Sequence, residues 1–78
     1  MTKLNKETFP KGNVWIREAG VDEAVPVLVL GIYNHGITFG SIASPRAITC
    51  FPWKQLVEEG EYSTDGRETW TKFSEKYV

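Results

Sequence analysis

The chain has one cysteine, one histidine, no large surplus of either charge and no apolar run long enough to cross a bilayer. Each shortage removes a class of protein. Cys50 alone cannot form an intramolecular disulfide, and small secreted domains usually depend on several, so the expected setting is reducing and cytoplasmic. Met1 to Gly12 is polar and lacks the apolar core of a signal peptide. The longest apolar run, Val25 to Tyr33, is about half of what a membrane helix needs, and Pro26 and Gly31 interrupt it. A soluble chain with no membrane partner is therefore expected. Nine Lys and Arg stand against ten Asp and Glu, a net charge of −1. Binding a polyphosphate needs several cations converging on one surface, so the charge balance disfavours a nucleic-acid partner.

The residues of catalysis and metal binding are equally scarce. His35 sits in a turn-like stretch between Asn34 and Gly36, and no Ser or Cys has the G-x-S-x-G context of an activated nucleophile. One Cys and one His give neither C-x-x-C nor H-E-x-x-H. Glu61, Asp65 and Glu68 lack the spacing of an EF-hand loop. Glu58 and Glu59 are adjacent, so their side chains diverge on a helix. Gly31, Gly36 and Gly40 are spread through strands rather than gathered before a helix, so they mark bulges or bends, not a phosphate cradle. The expectation is a protein that is not an enzyme, with no metal and no cofactor.

What the sequence has in quantity is aromatic side chains, among them Trp15, Trp53 and Trp70. Each large ring removes about 150–250 Å² from water when buried. With 78 residues the chain makes one domain, and a domain of that size buries only about 60–65% of its unfolded surface. The rings make a core plausible without staples, and their number exceeds what so small an interior holds. At least one should face outward.

Along the chain, residues 1–12 read as a flexible arm, with Leu4 and Phe9 tacked onto a body formed by 13–78. Asn13 to Glu18 alternates, with Val14 and Ile16 on one side and Trp15 and Arg17 on the other, the period of a half-buried strand. Ala19 to Ala24 reads as a loop. Val25 to Tyr33 is apolar at almost every position, which predicts a strand covered on both faces. Asn34-His35-Gly36 then turns the chain into Ile37 to Ile42, completing a hairpin. Ala43 to Arg46 reads as a second turn and Ala47 to Phe51 as a short strand. Pro52 opens a helix whose Trp53, Leu56 and Val57 make one apolar stripe, and Gly60 is placed to stop it in a left-handed conformation. Glu61 to Thr64 and Arg67 to Phe73 read as a hairpin around Asp65-Gly66, and Ser74 to Val78 as a fraying tail.

This order predicts a mainly β fold: an antiparallel sheet of five or six strands, curled or closed into an SH3- or OB-like barrel, with one short helix at an open end. A flat sheet against that helix is the alternative.

Within the last hairpin, Ser63, Asp65 and Trp70 fit the pattern S-x-D-x-G-x-x-W. The segment resembles the Asp-box, a hairpin motif found on many β-propellers and related domains. Arg67 stands at the place of the motif's glycine, and Gly66 comes one residue early. The resemblance implies a turn in which Asp65 bonds nearby backbone amides and Trp70 anchors the hairpin to the core. The role is structural and implies no activity.

The binding candidates are aromatic and arginine residues on predicted strands and turns: Trp15, Arg17, Tyr33, His35, Tyr62, Arg67 and Trp70. An outward aromatic beside an arginine has the composition of an interaction hot spot. The functional expectation is a small protein-interaction module, of the kind that serves as an accessory or inhibitor protein of a phage or mobile element, with a protein partner or a second copy pairing at a sheet edge. The alternative is a small-barrel nucleic-acid binder using strand aromatics as stacking platforms.

Overall fold

The computed structural model describes residues 2–20, 25–41 and 44–78. The alternation at the start of the body becomes β1 (Trp15–Glu18), and the apolar run becomes β2 (Val27–Ile32). β3 (Gly36–Ser41), β4 (Ser44–Pro52), β5 (Gly60–Ser63) and β6 (Thr71–Lys72) follow, with α1 (Trp53–Glu59) between β4 and β5 and α2 (Phe73–Lys76) after β6. The strands form one sheet in the order β4-β3-β2-β1-β5-β6, each pair antiparallel. The fold is thus mainly β, as the sequence predicts, and the sheet is open rather than a closed barrel: β4 and β6 are its edges. Two breaks of register, between Val29 and Gly31 and between Gly40 and Ser41, fall beside strand glycines, where bulges were expected.

One face of the sheet carries the core. Val14 and Ile16 meet Leu56 of α1 and Phe73 of α2, with Ile37 from β3. Tyr62, directly opposite Ile16, packs its ring 4.7 Å from that of Phe73. The helix stripe behaves as its spacing predicts, with Leu56 buried and Trp53 and Val57 packed against the core. Pro52 is the cap rather than the first helical residue. Gly60 is extended, at φ −107° and ψ 154°, not left-handed. Its need for glycine is steric: a Cβ there would lie 2.9 Å from the Leu56 carbonyl oxygen and 3.2 Å from the Phe73 ring. The helix therefore passes straight into β5 with its end sealed against α2. Gly36 answers a similar constraint where the hairpin starts β3, because a Cβ there would lie 2.8 Å from the Phe51 carbonyl carbon across the β3–β4 pair.

Both ends of the chain depart from the local reading. Residues 2–12, expected to be a flexible arm with Leu4 and Phe9 tacked onto the body, do bring those two residues to it, and seat them at 1% and 2% exposure inside the core. Asn5 organises the segment, its side-chain oxygen accepting the amides of Glu7 and Thr8 at 2.9 and 3.0 Å. Such local bonds shape a turn without a periodic pattern. The tail, expected to fray, forms α2 and then pairs with the arm: Thr2 bridges Tyr77 in parallel, Val78 N–H donates to Thr2 C=O at 2.9 Å, and the Tyr77 hydroxyl donates to Thr8 C=O at 3.0 Å. β4 begins at Ser44, three residues before the expected strand. Most of the expected loop at 19–24, the end of the expected return strand at Ile42 and the turn residue Ala43 lie outside the described residues. Among the described residues no helix is long and apolar enough to cross a membrane.

Candidate interaction face

Side chains alternate across a strand, so the residues between the core positions project from the opposite face of the sheet, away from both helices. Across β5, β1 and β2 one row runs Ser63, Trp15, Leu28, and the next pairs Glu61 with Arg17. Arg17 Nε donates to Glu61 Oε1. The guanidinium of Arg17 also lies 4.1 Å from the centre of the Trp70 ring, and that of Arg67 lies 4.6 Å from the centre of the Trp15 ring. Two arginine–tryptophan stacks and one ion pair therefore cover the β1–β5 half of this face. A cation over an indole is worth about 0.5–1 kcal/mol at exposed sites, so the four side chains hold one another in place.

The β5–β6 connection supplies Arg67 and Trp70. The predicted two-residue turn is instead the loop 64–70, because Tyr62, not Thr64, is the last β5 residue to pair with β6. Asp65 is the reason. Its carboxylate accepts the Ser63 hydroxyl at 2.7 Å, the amides of Glu68 and Thr69 at 3.1 and 3.0 Å, and the Thr69 hydroxyl. These partners, led by the Thr69 hydroxyl, lower its pKa from 3.8 to about 2. Ser63 in turn accepts the Arg67 amide at 2.9 Å. The Asp-box role of Asp65, bonding nearby amides, is present. Trp70 is half-buried and takes Arg17 on its face rather than joining the buried cluster. Arg67, at the motif's glycine position, has φ +75°, so the loop keeps the left-handed geometry and lays a cation there.

The β2–β3 half of the same face is apolar and open. The Leu30 side chain lies over Gly40, and that of Tyr33 over Gly31 beside Thr38. Leu30 is 56% exposed and Tyr33 48%. Tyr33 stacks on His35 with ring centres 5.8 Å apart. The apolar run of β2 is thus covered on one face only, contrary to the expectation of a strand buried on both: Val27 and Val29 pack on the core, and Leu30 faces out. Two short helices are too few to clothe both sides of a six-stranded sheet.

Of the seven sequence candidates, Trp15, Arg17, Arg67 and Trp70 come together. Tyr33 and His35 form a second cluster at the hairpin end. Tyr62 joins neither, since its ring is on the core face. Two participants escaped the sequence reading. Glu61 as the partner of Arg17 requires the β1–β5 register, which no local pattern supplies. Leu30 was hidden inside a run that looked like core, and the signal for it was the length of that run against the small interior available. Among the described residues no group of three or more His, Cys, Asp or Glu is close enough to hold a metal ion.

No known protein family matches the chain, and neither does any curated protein or solved structure with which it was compared.

Proposed function

We propose that the chain is a non-catalytic protein-interaction module, working in a reducing, cytoplasmic setting as an accessory or inhibitor protein, and that it meets its partner through the outer face of the sheet. The observation that carries this reading is the open β2–β3 half, where Leu30 and Tyr33 are exposed on the same face of the sheet as the Trp15–Arg67 and Trp70–Arg17 stacks of the neighbouring half. Rigid aromatic and arginine side chains next to apolar surface are what binding hot spots are made of. The chemistry favours a protein that offers an apolar patch to Leu30 and Tyr33 and a carboxylate to the exposed Arg67. Nucleic acid fits less well: each tryptophan already has a guanidinium on one ring face, and Glu61 takes the charge of Arg17.

The test is capture of the tagged protein's partners from nuclease-treated native lysate, with a photo-crosslinker in place of Tyr33, alongside Leu30→Asp and Trp70→Ala. A stoichiometric protein that crosslinks at position 33 and is lost at least about tenfold, or about 1.4 kcal/mol, in both variants supports the reading, provided their urea midpoints hold. Partners that bind both variants equally, or recovery of nucleic acid lost with moderate salt, would overturn it. Crosslinks between two copies mapping to β4, the nine-residue edge, would show self-association in its place.

A further inference from the structure

The helix-covered side of the sheet has a gap. Between α1 and strands β2, β3 and β4 lies a cleft of about 220 Å³. Its walls are Val27, Phe39, Phe51 and Leu56, and the rings of Phe39 and Phe51 stack with centres 4.6 Å apart. A dry apolar cavity of roughly 150 Å³ already accommodates benzene, so the space suits one side chain the size of leucine or phenylalanine. Val25, 72% exposed, stands at the mouth.

The rim is acidic. Glu18 ends β1 at one side, and Gln55 and Glu59, one helical turn apart on α1, form the other. Neither Glu18 nor Glu59 has an ion pair among the described residues. The basic residue at the wall, Arg17, is held by Glu61. From Glu18 to Pro45 the sequence contains Glu18, Asp22 and Glu23 and not one Lys or Arg. An apolar floor under an unneutralised acidic rim is complementary to an apolar side chain with a cation next to it, and unfavourable to nucleic acid or anionic lipid.

We propose that this cleft is a docking site for a basic peptide segment, which seats one Phe or Leu side chain between Phe39, Phe51 and Leu56 and sets a neighbouring Lys or Arg against Glu18 and Glu59. The site opens on the face opposite the Trp15–Trp70 cluster and shares with it only Arg17.

The experiment titrates the full ¹⁵N-labelled chain with three capped peptides, Arg-Phe-Arg, Gly-Phe-Gly and Glu-Phe-Glu, followed by amide shifts. The expected result is movement of the Val27, Phe39, Phe51 and Leu56 amides with Arg-Phe-Arg, and at least about tenfold weaker binding of Glu-Phe-Glu. The double variant Glu18→Lys/Glu59→Lys should erase that preference. Glu18→Gln/Glu59→Gln, which introduces no new charge, should reduce it, and either should keep the urea midpoint. Leu30→Asp, whose side chain lies over Gly40 on the outer face and lines no wall of the cleft, should leave the titration unchanged, which separates this site from the outer face. No movement of the cleft amides overturns the site, and equal binding of the three peptides overturns its preference for basic segments.

Discussion

Arg67 is the residue whose conformation runs against its chemistry. A non-glycine residue in the left-handed region costs about 1–2 kcal/mol, and Arg67 has φ +75°. The Ser63 hydroxyl on its amide and the Trp15 ring under its guanidinium offset that cost. Replacing the side chain separates the two effects. Arg67→Ala loses the stack and keeps the strain, whereas Arg67→Gly loses the stack and relieves the strain. The glycine variant should therefore be more stable than the alanine variant by about 1 kcal/mol, read as a higher urea midpoint. Equal midpoints would mean that position 67 is free to leave the left-handed region.

At the scale of elements, the loop 64–70 is built on one carboxylate, and that makes it acid-sensitive. The pKa of Asp65 is lowered from 3.8 to about 2, so the folded chain holds the ionised form more tightly than the unfolded chain does. The stabilisation is complete above pH 3.8 and disappears as pH falls through about 2. Asp65 is fully exposed, so solvent and salt screen the effect and keep it modest. The urea midpoint of the protein should exceed that of Asp65→Asn by a constant margin at neutral pH, and the margin should shrink between pH 4 and pH 2, where each value is about the range set by the shift. A margin that does not change with pH would show that the loop does not depend on the charge.

The same loop shows where local reading stops. The alternation of Val14 to Arg17, the Asn34 turn and the Trp53–Leu56–Val57 stripe were legible because each is a pattern within a few residues. The Asp65 loop was half legible: the Asp-box resemblance identified Asp65 as an amide acceptor, but the Asp-Gly pair pointed to a shorter turn. The candidate face was legible in its members, Trp15, Arg17, Arg67 and Trp70, and not in its arrangement. Which arginine covers which tryptophan depends on the β1–β5 register and on a loop that carries Arg67 back over β1.

For the whole molecule, the arm was legible in its two anchoring residues, Leu4 and Phe9, and not in the depth of their burial, since no periodic pattern in residues 2–12 places them in the core. Their partners are remote: Phe9 packs with ring centres 5.6 Å from Trp53 and 6.0 Å from Phe73. In so small an interior each buried side chain is a sizeable fraction of the total stability. Leu4→Ala should cost about 2–5 kcal/mol in urea denaturation. A truly loose arm would register within about 0.5 kcal/mol.

The pairing of Thr2 with Tyr77 also sets an order of events in time. A ribosome delivers Leu4 and Phe9 well before the ring of Phe73, so these two core residues lack that partner while the strands between them are being made. Contacts of such large sequence separation slow folding. Until Phe73 and Val78 arrive, Leu4 and Phe9 are available to anything else that binds apolar side chains, including a chaperone or another nascent copy.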